Sequence, residues 1–533
     1  MSIDELNVAL LLTTTVLLVA IAAVRLSTRA GLPTLLLYLG IGLVIGEAGF
    51  GLRFEDAELT QVVGLVFLAV ILAEGGLTTR WSVIRPVLGP SLVLATVGVA
   101  VSVAVTAAVA TLAFGIELRT AILLGAVVSS TDAAAVFSVL RRLPLRRRLG
   151  ATLEAESGFN DPPVIILVTL VVSDAWERAD PVLAMATMAY QLLVGAVVGL
   201  LVARGGQFVL ARSALPSPGL YPVATVTIAL LAFAAAGVVG GSGFLAIYLA
   251  GLWLGNAPLP HRVATLGFAE GLAWLSQIGL FVLLGLLASP ARLPEALPQA
   301  LLVGAALLLL ARPLSVLVST TPFRVPWREQ AFMSWAGLRG AVPIVLATIP
   351  LSVGVPGAQQ IFDVVFLLVV VFTLIQGPTL PPLARRLHVV EKEDTAEVDI
   401  ESAPLDEING TLLQFRVPPH SRLAGVSILE LRLPPEAAVT LILRGRKTIV
   451  PDEKTTISPG DHLLLVASLR ARPITERRLR AVSRRGRLAG WMGERGDEEV
   501  AALPGVRQAA KARHRFARRA RATTGRLRRR RQG

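Results

Sequence analysis

The chain has 533 residues, of which 54% are hydrophobic and 17% charged, and its mean hydropathy is +0.67. That balance excludes an ordinary water-soluble globule and indicates a polytopic membrane protein. The absence of cysteine excludes disulfides and thiolate metal sites, and all five histidines lie outside the apolar spans or at their ends, so neither a zinc site nor a histidine base is expected within the membrane.

The first apolar run, Val8 to Val24, follows an acidic start (Asp4, Glu5) and lacks a basic segment and a small-residue cleavage site, so it reads as a retained span. At roughly 20 residues per span, the sequence predicts 13 transmembrane helices, over residues 7–25, 32–46, 58–78, 86–114, 119–140, 150–173, 181–203, 220–238, 242–256, 266–288, 296–318, 330–350 and 360–383. The second and ninth are short and glycine-rich, with Gly42-x-x-x-Gly46 a small-residue pair suited to close helix contact. Arginines cluster in alternate loops (Arg80/Arg85, Arg141 to Arg148, Arg204/Arg212, Arg324/Arg328, Arg385/Arg386), and the opposite loops are acidic. The positive-inside rule then places the N-terminus outside and the long C-terminus in the cytoplasm.

Several spans carry chemistry that the bilayer makes expensive. The third ends Glu74-Gly75-Gly76, an acid that either snorkels to water or serves the transport path. The fifth is interrupted by Ser129-Ser130-Thr131-Asp132, and the twelfth by Ala336-Gly337-Leu338-Arg339-Gly340 with Pro343 after it. Taking spans 1–6 and 8–13 as two inverted repeats, these breaks fall at corresponding positions, the sequence pointer to a midplane site. The sixth contains Glu156-Ser157-Gly158-Phe159-Asn160-Asp161-Pro162-Pro163. An ionised group near the bilayer centre costs about 2.5–3.5 kcal/mol on insertion scales, so such groups face a bundle interior or an aqueous cavity. Glu156 and Asn160 are four apart, as are Ser157 and Asp161, which predicts two polar stripes side by side. Pro162 and Pro163 lack the amides that would bond two preceding carbonyls, which leaves oxygens for a cation or water. Arg312 in the eleventh span, and Glu270 and Gln277 in the tenth, read as internal pairing or capping groups.

Beyond a transmembrane domain at 1–387, residues 388–407 read as an acidic linker; 391–407 hold eight acids and one lysine. Four short strands, 412–417, 438–443, 448–450 and 462–467, predict a small cytoplasmic α/β domain over 408–472. Residues 473–533 read as a basic tail; 481–533 hold 16 Lys and Arg against four acids, +12 of the net charge of +14. Solvation or attraction to anionic membrane lipid suits that tail better than nucleic acid, because interleaved aromatics are nearly absent.

Thr131-Asp132-Ala133-Ala134-Ala135-Val136-Phe137-Ser138, Glu156-Ser157-Gly158 with Asn160-Asp161-Pro162, and Gly337-Leu338-Arg339-Gly340-Ala341 together resemble the bacterial monovalent cation:proton antiporter-1 family, most closely its NhaP-like potassium/proton branch with a C-terminal TrkA-C domain. The resemblance implies that Asp161 binds either a proton or the cation, and that Asp132, Ser157 and the Thr131 carbonyl complete the cation's shell. Asn160 stands where electrogenic relatives have a second aspartate, which implies one-for-one electroneutral exchange. Glu156 is expected to pair with Arg339 across the bundle. Ala133 stands where sodium-selective members often have a proline after Thr-Asp, which leaves the cation preference open; the resemblance to the potassium/proton branch favours potassium, with sodium as the alternative. The resemblance further implies a bacterial plasma membrane location, a homodimer, no enzymatic cofactor, and a regulatory cytoplasmic domain with a small ligand such as a nucleotide as its candidate effector.

Three rival readings use the same residues. A cation channel would need a selectivity-filter loop, and none is present. An intramembrane aspartyl protease could use Asp132 and Asp161 as a dyad, but neither has the Gly-x-Gly-Asp context of that class. A sensor that only reports ions to the cytoplasmic domain differs from an exchanger in flux alone.

Overall fold

The computed structural model describes residues 3–30, 33–47, 56–140, 145–173, 181–390, 400–405, 410–418, 421–445, 447–468 and 470–490, with a few isolated positions between. They form two units, residues 1–391 and 392–533.

The first unit is helical. Its elements are α1 (Ile3–Ala30), α2 (Thr34–Ile45), α3 (Ala57–Thr78), α4 (Trp81–Phe114), α5 (Leu118–Ser129), α6 (Ala133–Leu140), α7 (Arg147–Val172), α8 (Pro181–Arg212), α9 (Leu220–Val238), α10 (Gly243–Asn256), α11 (Arg262–Leu287), α12 (Leu293–Phe323), α13 (Trp327–Trp335), α14 (Ala341–Ser352) and α15 (Ala358–Arg386). Among the described residues nine helices are long and apolar enough to cross a membrane, and four apolar ones are shorter. Each predicted span has its helix, and the fifth and twelfth are each split into two half-helices, α5/α6 and α13/α14. The sixth, α7, runs unbroken through Pro162 and Pro163.

Small residues set the close contacts. A Cβ on Gly42 would fall within 2.1 Å of the Val282 carbonyl oxygen, and one on Gly285 within 2.3 Å of that of Leu39, so α2 and α11 touch backbone to backbone. Without a hydrophobic drive between helices in lipid, such contacts supply packing. Two π-turns locally widen helices, Leu94–Gly98 in α4 and Leu307–Ala311 in α12. The second comes directly before Arg312-Pro313, where the proline offers no amide to the preceding turn.

The second unit holds a five-stranded antiparallel sheet of order β1-β2-β5-β3-β4: β1 (Ile400–Leu405), β2 (Gly410–Arg416), β3 (Ala437–Arg444), β4 (Lys447–Ile449) and β5 (His462–Ser468). Helix α16 (Arg472–Arg485) packs on it, and Leu413, Phe415, Leu463, Leu465, Leu479 and Val482 form the core. Two boundaries differ from the sequence reading. Residues 400–405, assigned to the linker, are an edge strand paired with β2; the remaining linker residues 391–399 and 406–407 lie outside the described residues. Residues 473–490, assigned to the tail, belong to the folded unit, because Thr475, Leu479 and Val482 make a buried stripe through an arginine-rich helix. The tail beyond 490 lies outside the described residues.

In this unit Asp461 is fully buried and holds a bidentate pair with Arg444, 2.9 Å from each nitrogen, and it accepts the Ser458 amide at 2.7 Å. Burial pushes its carboxyl up, but the Arg444 guanidinium and the Ser458 amide outweigh that and hold it below the ordinary aspartate range.

Candidate ion-binding site

The two broken helices cross at their breaks and satisfy each other's backbone. The Asp132 amide donates to the Leu338 carbonyl at 2.9 Å, and Arg339 Nε donates to the Val128 carbonyl at 2.7 Å. Arg339 Nη1 also donates to the Gly337 carbonyl at 2.8 Å. The Arg339 charge therefore lies at the C-terminal ends of α5 and α13, where the helix dipole is negative. Asp132 is its counterpart. Its Oδ1 accepts the Ala135 amide at 3.3 Å at the start of α6, and a Cβ on Gly340 would come within 1.8 Å of its Oδ2 just before α14. Its carboxylate thus sits between two positive N-terminal ends.

Helix α7 presents two polar stripes to this crossing, as the spacing predicts. On one, Asn160 Nδ2 donates to Thr131 Oγ1 at 2.7 Å, and Thr131 Oγ1 donates to Glu156 Oε1 at 3.3 Å. The Asn160 Oδ1 is buried without a partner among the described residues. On the other stripe, Ser157 and Asp161 face a cavity of about 420 Å³ that Thr131 and Asp132 also line. Asp161 is 3% exposed and accepts the Ser130 hydroxyl at 2.5 Å. Five of the named residues, Asp161, Asp132, Ser157, Thr131 and Asn160, thus meet at the breaks.

The partner of Glu156 differs from the sequence reading. The buried Glu156 carboxylate is held by both terminal nitrogens of Arg312, with Nη2 to Oε2 at 2.9 Å and Nη1 on Oε1, whereas Arg339 is turned to backbone carbonyls. The physical reason is the break itself: carbonyls at the end of α5 have no amide to receive, and Arg339 is the donor next to them. Arg312 Nε caps the Met333 carbonyl at 3.3 Å, so α7, α12 and α13 are joined by one guanidinium.

Glu74 lines the same cavity and a neighbouring one, also of about 420 Å³, whose wall includes Glu270 and Gln277. Carboxylates of Glu74, Asp132, Glu154 and Asp161 thus line one cavity, and Glu74 and Glu270 line its neighbour. Sequence reasoning passed over Glu154, Thr79 and Tyr248, which share the wall. Glu154 was detectable as an acid within a predicted span; Tyr248 gives no sequence signal in a span without charge.

Residues 14–386 match the family described as sodium/hydrogen exchanger, transmembrane. The chain belongs to the sodium/hydrogen exchanger family. Residues 412–472 match the TrkA-C domain, so this exchanger-family chain carries that domain after its membrane unit. Among curated relatives, it is 35% identical over 474 residues to the K(+)/H(+) antiporter NhaP2 of Shewanella sp. strain MR-4, covering 87% of this chain and 82% of that one. It is 40% identical over 411 residues to the K(+)/H(+) antiporter NhaP of Alkalimonas amylolytica, covering 76% and 71%. The Na(+)/H(+) antiporter ApNhaP of Aphanothece halophytica is 27% identical over 366 residues, covering 65% and 70%. The solved structure of the sodium proton antiporter MjNhaP1 from Methanocaldococcus jannaschii at pH 8 superposes with a TM-score of 0.64 at 22% identity, covering 72% of this chain and 99% of that one, and so shares the fold.

Proposed function

We propose that this monovalent cation:proton antiporter exchanges one potassium ion for one proton, with sodium as the alternative cation, by competition at Asp161. The observation that carries this reading is a buried carboxylate in the wall of an acid-lined cavity, with a hydroxyl as its donor and no basic side chain paired with it among the described residues. Burial penalises the bare charge, and either a proton or a cation removes the penalty. Asp132, Ser157 and Thr131 supply the further oxygens a hard monovalent ion needs. Asn160 is neutral and engaged with Thr131, so one carboxylate titrates per cycle and the exchange is electroneutral. Alternating access carries the loaded site between faces. Potassium is placed first because the relatives at 35–40% identity are named potassium/proton antiporters; the more distant sodium-named relative keeps the second cation in view.

The rest of the reading concerns context. The chain works as a homodimer in a bacterial plasma membrane, with its N-terminus outside and its C-terminal unit in the cytoplasm, where a small ligand such as a nucleotide regulates it. The basic loops support the orientation. The test is proton flux in sealed proteoliposomes driven in turn by potassium and sodium gradients, with and without a voltage clamp. Wild type should give potassium-driven flux insensitive to voltage, and Asp161→Asn should give none while remaining folded and inserted. Retained exchange in that variant rejects Asp161 as the shared site, and voltage-dependent current favours a channel.

A further inference from the structure

Tyr248 is 2% exposed, and its hydroxyl makes no hydrogen bond of good geometry among the described residues; its polar neighbours are Thr79 and Glu154. It stands on α10 in the wall of the cavity that Asp161 also lines. A buried hydroxyl without a partner is costly, and native structures keep such groups where a water, an ion or a ligand answers them. The ring is fixed on two sides. A Cβ on Gly158 would lie 2.4 Å from its Cζ and 2.7 Å from its hydroxyl oxygen, and Phe159 meets it edge-on with centroids 5.3 Å apart. The phenol oxygen is therefore held beside α7 by the packing of its ring. On the same wall, Thr79 donates to Glu154 Oε1 at 2.7 Å. Glu154 is seven residues before Asp161 on α7, roughly 10 Å along the axis at 1.5 Å per residue.

We infer that Tyr248, Glu154 and Thr79 form an outer cation station, in which the phenol oxygen and the Glu154 carboxylate replace part of the water shell of a monovalent cation before it reaches Asp161. This rests on the reading of Asp161 as the exchange site. Oxygen ligands of this kind suit a hard ion, and a phenol oxygen beside a carboxylate offers neutral and anionic donors without binding so tightly that the ion stays. The station's contribution is to hold the ion during dehydration; proton exchange itself stays at Asp161.

The experiment is the potassium and sodium concentration dependence of exchange in proteoliposomes for wild type, Tyr248→Phe, Glu154→Gln, their double variant and Asp161→Asn. Tyr248→Phe retains the ring on Gly158 and removes only the oxygen. Each single variant should raise KM for the cation about five- to tenfold, the scale of one lost polar contact, with the maximal rate within about twofold. The double variant should raise KM little beyond the larger single effect, because both act on one station. Unchanged KM in Tyr248→Phe and Glu154→Gln overturns the proposal, as does a loss of maximal rate and thermal stability at constant KM, the signature of a structural role. Should Tyr248→Phe fail to fold, the KM of Glu154→Gln decides. Exchange in Asp161→Asn refutes the exchange site itself and is read independently of these values.

Discussion

Removing one member of the Glu156–Arg312 pair leaves the other charged, buried and without its counter-ion. Glu156 is 2% exposed and Arg312 4%, and the pair is bidentate, so solvent screens little of the interaction. Breaking such a pair by removing one partner costs about 3–5 kcal/mol, whereas replacing both with groups of similar volume is often near neutral. Glu156→Gln and Arg312→Met should therefore each destabilise by about 3 kcal/mol or more, and the double variant by less than their sum, with a coupling of about 2–3 kcal/mol. Some residual loss is expected in every Arg312 variant, since its Nε also caps Met333. The assay is reversible denaturant titration of the detergent-solubilised full chain followed by tryptophan fluorescence, with Glu156→Gln and Arg339→Met as a parallel cycle. That second cycle should give the smaller coupling, because Arg339 is spent on Val128 and Gly337 carbonyls. Additive losses at 156 and 312, or a larger coupling at 156 and 339, would refute the assignment of partners.

Gly340→Ala should abolish exchange and lower the unfolding midpoint, because the new methyl would sit within 1.8 Å of Asp132 Oδ2 and force the two breaks apart; flux and thermal unfolding of the purified variant check it. In the cytoplasmic unit, the Asp461 carboxyl is held below its ordinary value, so its contribution to stability is present above the unfolded aspartate pKa of about 3.9 and is lost as pH falls through the lower folded value. The protection of amides over residues 410–468 of the full chain, taken relative to the intrinsic exchange rate at each pH, should therefore fall below about pH 4 in wild type, and that acid dependence should flatten in Asp461→Asn.

Much of this architecture is written in periodicity. The i, i+4 spacing of Glu156 with Asn160 and of Ser157 with Asp161 puts two polar stripes side by side on α7, because helix geometry alone dictates it; which stripe faces the cavity is not in the spacing. Partner choice across the bundle does not follow from it. Arg312 and Arg339 both stand in apolar segments, and which of them meets Glu156 depends on where the broken α5 leaves carbonyls without amides. Strand β1 hides among acids because an edge strand needs only a neighbour to pair with, and α16 hides among arginines because a stripe of three residues is enough to hold one face of a helix on the sheet. Tyr248 was invisible for a further reason: its significance lies in which groups of other helices surround its hydroxyl, Thr79 and Glu154 among them, and no sequence pattern records that.

The charges at the crossing explain why one carboxylate can carry the exchange. Asp132 is engaged by the positive ends of α6 and α14, and Arg339 by the negative ends of α5 and α13, so each is compensated by fixed backbone dipoles for as long as the breaks stay crossed. Glu156 is compensated by Arg312 in the same permanent way. Of the acids at the breaks, Asp161 has its charge answered by the Ser130 hydroxyl and by no basic side chain among the described residues. The compensation it lacks must arrive from solution, as a proton or as a cation. With Asp161 as the exchange site proposed above, one vacancy accepts one positive charge at a time, which is the basis of the proposed competition between the two ions and of the proposed one-for-one stoichiometry.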